Sequence, residues 1–135
     1  MADDKFPVAK AEEQWRRELA PETYQVLRKH GTEPAGTSAL NAEKRSGVFR
    51  CAGCGKELFD SDRKYESGSG WPSFYQPKAG AVGTSEDGSH FMQRTEVHCA
   101  DCGGHLGHVF PDGPEPTGLR YCMNGVALKF EPKKT

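Results

Sequence analysis

The chain contains no isoleucine, and its other large core formers are sparse: leucine, valine and phenylalanine occur seven times each among 135 residues. A share this small borders on the composition of disordered chains, but such chains also carry a high net charge. Here 18 basic residues against 19 acidic ones leave only −1, so a folded chain is expected. From its length it should form one domain, residues 1–135 with a core of about 10–131, that buries about two thirds of the unfolded chain's surface. A core so thin calls for a covalent or metal staple.

Three further absences narrow the class. No basic block or stripe exists, which removes the electrostatic footprint of a nucleic-acid partner or an anionic membrane. No apolar run approaches the roughly 18 residues of a membrane span, and no apolar segment follows the polar, acidic start, so neither a signal peptide nor a membrane helix is expected. The cysteines do not pair off evenly, because there are five. A disulfide framework uses even numbers, whereas a reducing compartment keeps cysteines for metals or catalysis. The expectation is a cytoplasmic, monomeric protein.

What is present divides into two parts. Val8, Ala11, Trp15 and Leu19 recur at helical spacing with Glu12, Glu13, Arg16 and Arg17 on the other side, which predicts an amphipathic helix with Trp15 as its core anchor. A second short helix is expected from Pro21, with Tyr24 and Leu27 on one face and Gly31 as its stop. Beyond Gly31 the apolar runs are short and cut by glycine and proline. They predict strands at 47–51, 56–60, 91–99, 105–110, 118–123 and 126–131, with loops at 61–70, 76–90 and 111–117.

Cys51-Ala-Gly-Cys54-Gly and Cys99-Ala-Asp-Cys102-Gly are near copies. Each places two thiolates on one tight turn, and four such thiolates satisfy a tetrahedral Zn²⁺ ion at a closed, structural site. With 44 residues between Cys54 and Cys99, the metal would tie distant strands together and supply the staple. A redox dithiol would need only one such pair, near a βαβ pattern. Bound iron and a pair of disulfides are the other readings.

Cys122 stands apart in Arg120-Tyr121-Cys122-Met123-Asn124. On a strand, Arg120, Cys122 and Asn124 share one face, and a guanidinium beside a thiol favours the nucleophilic thiolate. A lone cysteine can equally be inert packing. Gly104-His105-Leu106-Gly107-His108 sets two histidines among glycines. They suit proton transfer near neutral pH, a second metal site with a ligand such as Asp112, or a satisfied core. His30, His90 and His98 lie outside this cluster and read as surface or packing. In Ser67-Gly68-Ser69-Gly70-Trp71-Pro72-Ser73-Phe74, Trp71 and Phe74 either cradle a thioether-like group, where sulfur–aromatic contacts are worth about 0.3–1.5 kcal/mol, or form a small core cluster.

Taken together with Gly31-Thr-Glu-Pro34, the two cysteine pairs and the histidine block running to Gly113, these segments resemble the signature blocks of the B-type methionine-R-sulfoxide reductases in order and spacing. The resemblance covers about residues 10–131. It implies a mainly β fold, two antiparallel sheets packed as a tent with short N-terminal helices and one structural zinc. It also implies reduction of the R epimer of methionine sulfoxide in oxidised proteins, and less efficiently of the free amino acid. By position, Cys122 is the nucleophile, His105 and His108 orient and protonate the sulfoxide oxygen, Asn124 and Arg120 stabilise the thiolate, and Trp71 with Phe74 seats the substrate. Many members carry a second, resolving cysteine where this chain has Ser69. Its absence implies that thioredoxin or a small thiol resets the enzyme directly, since a hydroxyl cannot enter disulfide exchange. Gly125, where serine is common, is a milder departure. The competing reading is a non-catalytic, zinc-stapled β-tent that serves as a binding module; it leaves the surroundings of Cys122 without a purpose.

Overall fold

The computed structural model describes residues 6–87 and 94–133. The expected pair of helices is present, as α1 (Glu12–Glu18) and α2 (Pro21–Lys29). Pro21 opens α2, where its missing N–H costs nothing, and acidic first turns with basic last turns suit both helix dipoles. The stop differs from expectation. The left-handed residue is His30, at φ 59°, and not Gly31. Gly31 is needed for a different reason, because a Cβ there would stand 3.0 Å from the Gln25 carbonyl oxygen.

Among the described residues nine strands follow: β1 (Gly47–Cys51), β2 (Glu57–Asp60), β3 (Lys64–Tyr65), β4 (Ser73–Phe74), β5 (Val82–Asp87), β6 (Arg94–Cys99), β7 (His105–Phe110), β8 (Arg120–Met123) and β9 (Leu128–Pro132). They form a three-stranded sheet in the order β2-β1-β9 and a six-stranded sheet in the order β3-β4-β8-β7-β6-β5. Every pairing is antiparallel, so the mainly β, two-sheet expectation holds. Two segments expected as loops are strands. β3 is two residues long, too short to show periodicity. β5 reads Val-Gly-Thr-Ser-Glu-Asp at the edge of its sheet, where one side faces solvent and hydrophobic alternation is not required. The first three residues of the strand expected at 91–99, and His90, lie outside the described residues.

The core lies between the sheets. Phe49 from the small sheet meets Phe74 from the large one edge-on at 5.0 Å, and Phe59 stacks on Phe74 at 4.2 Å. All three rings are fully buried, each contributing about 1.5–3 kcal/mol of transfer energy. The helices cap this layer at one end. Trp15 and Leu27 pack against the backbone of Gly53, Leu27 also covers Gly104, and Arg28 donates from Nη1 to the Cys102 carbonyl at 3.0 Å. Trp15 is buried as expected, with the Arg28 guanidinium 4.7 Å over its ring. The two helices therefore form a lid over the two cysteine turns. Among the described residues, no helix is long and apolar enough to cross a membrane.

Candidate active site

The tight turn after β1 and the one between β6 and β7 bring their cysteines together. Cys51 Sγ lies 3.7 Å from Cys102 Sγ, Cys54 Sγ lies 3.5 Å from Cys99 Sγ, and all four sulfurs fall within 4.8 Å of one another. None is in a disulfide. With zinc–sulfur bonds of about 2.3 Å, the edge of a tetrahedron is about 3.8 Å, so these spacings fit a single ion. Cys51, Cys99 and Cys102 are buried and Cys54 is half-buried, which gives a closed site. This cluster can hold a metal ion.

Cys122 occupies a different region. It lies on β8, directly opposite His108 of β7 on one side and Ser73 of β4 on the other; His108 in turn faces Glu96 of β6. Residues paired across antiparallel strands share a face, so these side chains form one polar row across the large sheet. Gly107 makes the closeness possible: a Cβ there would stand 2.1 Å from the Cys122 carbonyl oxygen. Above the row is a cavity of about 300 Å³ lined by Thr32, Ser69, Trp71, Arg94, His108, Phe110, Arg120, Cys122 and Asn124, among others.

The strand alternation expected around Cys122 is present. Arg120, Cys122 and Asn124 line the cavity, while Met123 is buried and Tyr121 packs 6.0 Å from the Phe59 ring. Arg120 is committed elsewhere as well: it donates to both Asp112 oxygens at 2.9 and 3.2 Å and lies 4.4 Å over the Phe110 ring. Asn124 is buried and holds backbone. Its oxygen accepts from the Glu33 N–H at 2.9 Å and its amide donates to the Leu106 carbonyl at 3.1 Å. Trp71 donates from Nε1 to the Glu33 carbonyl at 2.9 Å, which fixes the indole against the cavity.

The net effect on the thiol runs against the simple sequence argument. Burial pushes the Cys122 thiol above its ordinary value; a hydrogen bond from Ser69, whose hydroxyl is 3.7 Å from the sulfur, and the nearby Arg120 charge offset this only in part. Ser69 had no chemical part in the sequence reading beyond the cysteine it lacks. In the fold it belongs to a hydroxyl chain, with Ser67 at 2.8 Å and Ser73 a further 2.7 Å on.

Two expected site residues are placed differently. Phe74, expected beside a substrate, is fully buried in the inter-sheet aromatic cluster and does not line the cavity. Its strand neighbour Ser73 takes the face toward Cys122, so Phe74 must point into the core, and Phe110 supplies the second aromatic wall. His105 is 2% exposed and does not line the cavity either, although its ring is 5.4 Å from that of His108. Residues three apart on a regular strand face opposite ways. An irregularity in the β6–β7 pairing, where His98 opposes His105 but Val97 opposes Gly107, accommodates one extra residue and brings the rings together. His105 Nδ1 is 2.6 Å from Glu96 Oε2. Burial pushes the imidazole below its ordinary value despite the pull of that carboxylate. Glu96 and Arg94 escaped the sequence reading because nothing local marks them, and the register of β6 brings them here; Thr32, unremarked within the Gly31–Pro34 block, reaches the cavity from the segment after α2. At Gly125 the place of a side chain is taken by Ser38, whose Oγ would lie 1.9 Å from a Cβ.

A two-sheet β fold with four cysteines clustered so that they can hold a metal ion, and a fifth thiol kept apart in a polar-rowed cavity, defines a class within which relatives can be compared. The SelR domain family matches residues 19–132. A peptide methionine sulfoxide reductase MsrB of Leptospira interrogans is 59% identical over 127 residues, 93% of this chain and 97% of that protein. The protein of the same name from Bradyrhizobium diazoefficiens is 59% identical over 132 residues, 97% and 94% of the two chains, and that of the archaeon Methanosarcina barkeri is 55% identical over 125 residues, 92% and 88%. The chain belongs to the SelR domain family, that of the MsrB-type methionine sulfoxide reductases.

Proposed function

We propose that this single-domain protein reduces the R epimer of methionine sulfoxide, in oxidised proteins and less efficiently as the free amino acid, with Cys122 as nucleophile. The observation that carries this reading is the position of the Cys122 sulfur in a cavity walled by Trp71 and Phe110 and directly across from His108. The indole seats the S-methyl group and His108 faces the sulfoxide oxygen. Arg120 and Asn124 shape the site, Arg120 by its charge and Asn124 by tying Glu33, and hence Trp71, to β7.

The chemistry balances without an external oxidant. The Cys122 thiolate attacks the sulfoxide sulfur as a proton reaches the sulfoxide oxygen from the histidine side. The sulfur–oxygen bond breaks, the hydroxyl passes to Cys122, and methionine leaves with a sulfenic acid in its place. An incoming thiol then displaces water to form a mixed disulfide, and a second thiol restores Cys122. Both come from outside, from thioredoxin or a small thiol such as glutathione, because the remaining four cysteines are the cluster and Ser69 faces Cys122.

Cys51, Cys54, Cys99 and Cys102 would hold one zinc ion. When bound it supplies a structural cross-link and no open coordination position.

The test is consumption of racemic methionine sulfoxide by the protein and by Cys122→Ser, with thioredoxin and glutathione in parallel. Half of the substrate should disappear with wild type and essentially none with the variant. Unchanged consumption of the R half by the variant would remove Cys122 as the nucleophile, and no consumption by the wild type would leave the binding-module reading. An internal disulfide involving Cys122, detected by mass spectrometry after one turnover, would remove direct reduction by an outside thiol.

A further inference from the structure

His30 closes α2 in the left-handed region at φ 59°, and it is the only non-glycine residue with positive φ among those described. For a residue with a Cβ this conformation is strained, while the next residue in the chain is a glycine. The conformation delivers the His30 ring to the large sheet. Its Nδ1 lies 2.6 Å from Glu96 Oε2, the same oxygen that His105 Nδ1 approaches at 2.6 Å from the other side. The two imidazoles are 5.2 Å apart, and that of His105 is 5.4 Å from His108. Exposure falls along the series: the His30 side chain is 66% exposed, that of Glu96 13% and that of His105 2%.

These contacts have hydrogen-bond length. Two ligand atoms sharing one zinc ion through bonds of about 2.05 Å would stand about 3.3 Å apart, so a shared proton acceptor describes the group better than a metal site. An ionised carboxylate only accepts, and a neutral imidazole has one donor and one acceptor nitrogen. Both Nδ1 atoms must therefore carry the hydrogen. The Nε2 atom of His105, which is buried and has no hydrogen-bond partner, is then the bare acceptor.

We infer that Glu96 and His30 are positioning residues for the sulfoxide chemistry: their shared contact locks His105 in the tautomer protonated at Nδ1 and unprotonated at Nε2, as a proton acceptor beside His108. The inference rests on the reductase reading and divides the work of the two histidines. His108, which lines the cavity, delivers the proton to the sulfoxide oxygen. His105 stands behind it with its ring orientation and tautomer held by Glu96, and His30 orients that carboxylate from the surface.

The experiment is ¹⁵N spectroscopy of ring-labelled, metal-loaded protein at a pH where the ring is neutral, with the His105 signals assigned by their loss in His105→Gln. The expected result is a protonated-type Nδ1 and a bare-type Nε2 in wild type. In Glu96→Ala those signals should average between tautomers, with kcat lowered about 10-fold, on the scale of losing a histidine's orienting partner, and KM little changed. His30→Ala should give a smaller change in the same direction. The tautomer is read on the resting wild-type protein, so the test stands even if a variant fails to fold. A wild type that reduces no sulfoxide removes the reductase reading. An active wild type with the proton on Nε2, or a folded Glu96→Ala with wild-type kcat, overturns this inference alone.

Discussion

The cysteine cluster and the Cys122 cavity place the same side chain in opposite circumstances. At the cluster, four sulfurs from turns 44 residues apart in sequence converge under the helical lid. At the cavity, one sulfur sits in a row of unlike polar groups, Ser73, His108 and Glu96, laid out by strand register. With a metal bound, the first arrangement would remove reactivity, since every thiolate would be taken, and would add cross-links to a thin core. The second keeps a thiol unligated, at a raised pKa and with proton-handling groups one strand away. What a cysteine does in this protein is decided by the company its sulfur keeps.

The sharpest way to break this contrast is to remove the metal. Structural zinc sites in small domains bind with an apparent free energy of about 10–16 kcal/mol, as large as the net stability of about 5–15 kcal/mol of a typical domain. Chelation should therefore abolish the cooperative unfolding transition in calorimetry, whereas alkylating Cys122 should leave it in place. A chelated protein that still melts as before would show that the cluster is no staple. Next in size is Phe74→Ala, expected to cost about 3–5 kcal/mol in denaturant unfolding while KM for the sulfoxide stays the same. A raised KM without loss of stability would return Phe74 to the cavity wall.

The smallest effect concerns the thiol itself. Because burial raises the Cys122 pKa, its thiolate fraction is low at neutral pH, and alkylation should accelerate with pH beyond the ordinary thiol range of about 8.5. By linkage, a raised pKa favours the protonated folded state; the stability gained is complete below the ordinary value and is lost as pH rises through the folded one. Ser69→Ala removes the hydrogen bond that lowers this pKa. The alkylation profile should move further to alkaline pH, with a several-fold slower reaction at neutral pH. An unmoved profile would mean that Ser69 only fills the space.

Much of this was legible before folding was considered. Repeated cysteine pairs reveal a metal cluster because the ligands sit together in sequence, and Cys122 with Arg120 and Asn124 follows from a period of two. β1 and β7 were also expected at their observed limits. Phe74 was misplaced because an aromatic next to a site motif and an aromatic in the core look alike until it is known which strand face meets the second sheet. Glu96 was missed because its partners, His30 and His105, are 66 and 9 residues away.

By itself, then, the chain determined the chemistry available: four metal-type thiolates, a separate fifth thiol, a histidine pair and a serine at position 69. Short-range pattern suffices for this, since each signal lies within a few residues. Only the tertiary structure decided which groups touch. The extra residue in the β6–β7 pairing set His105 beside His108, the left-handed turn at His30 carried an imidazole to Glu96, and burial pushed the Cys122 thiol up and the His105 imidazole down. Each depends on register, on a backbone angle or on exclusion of water, and these exist only once distant segments have packed.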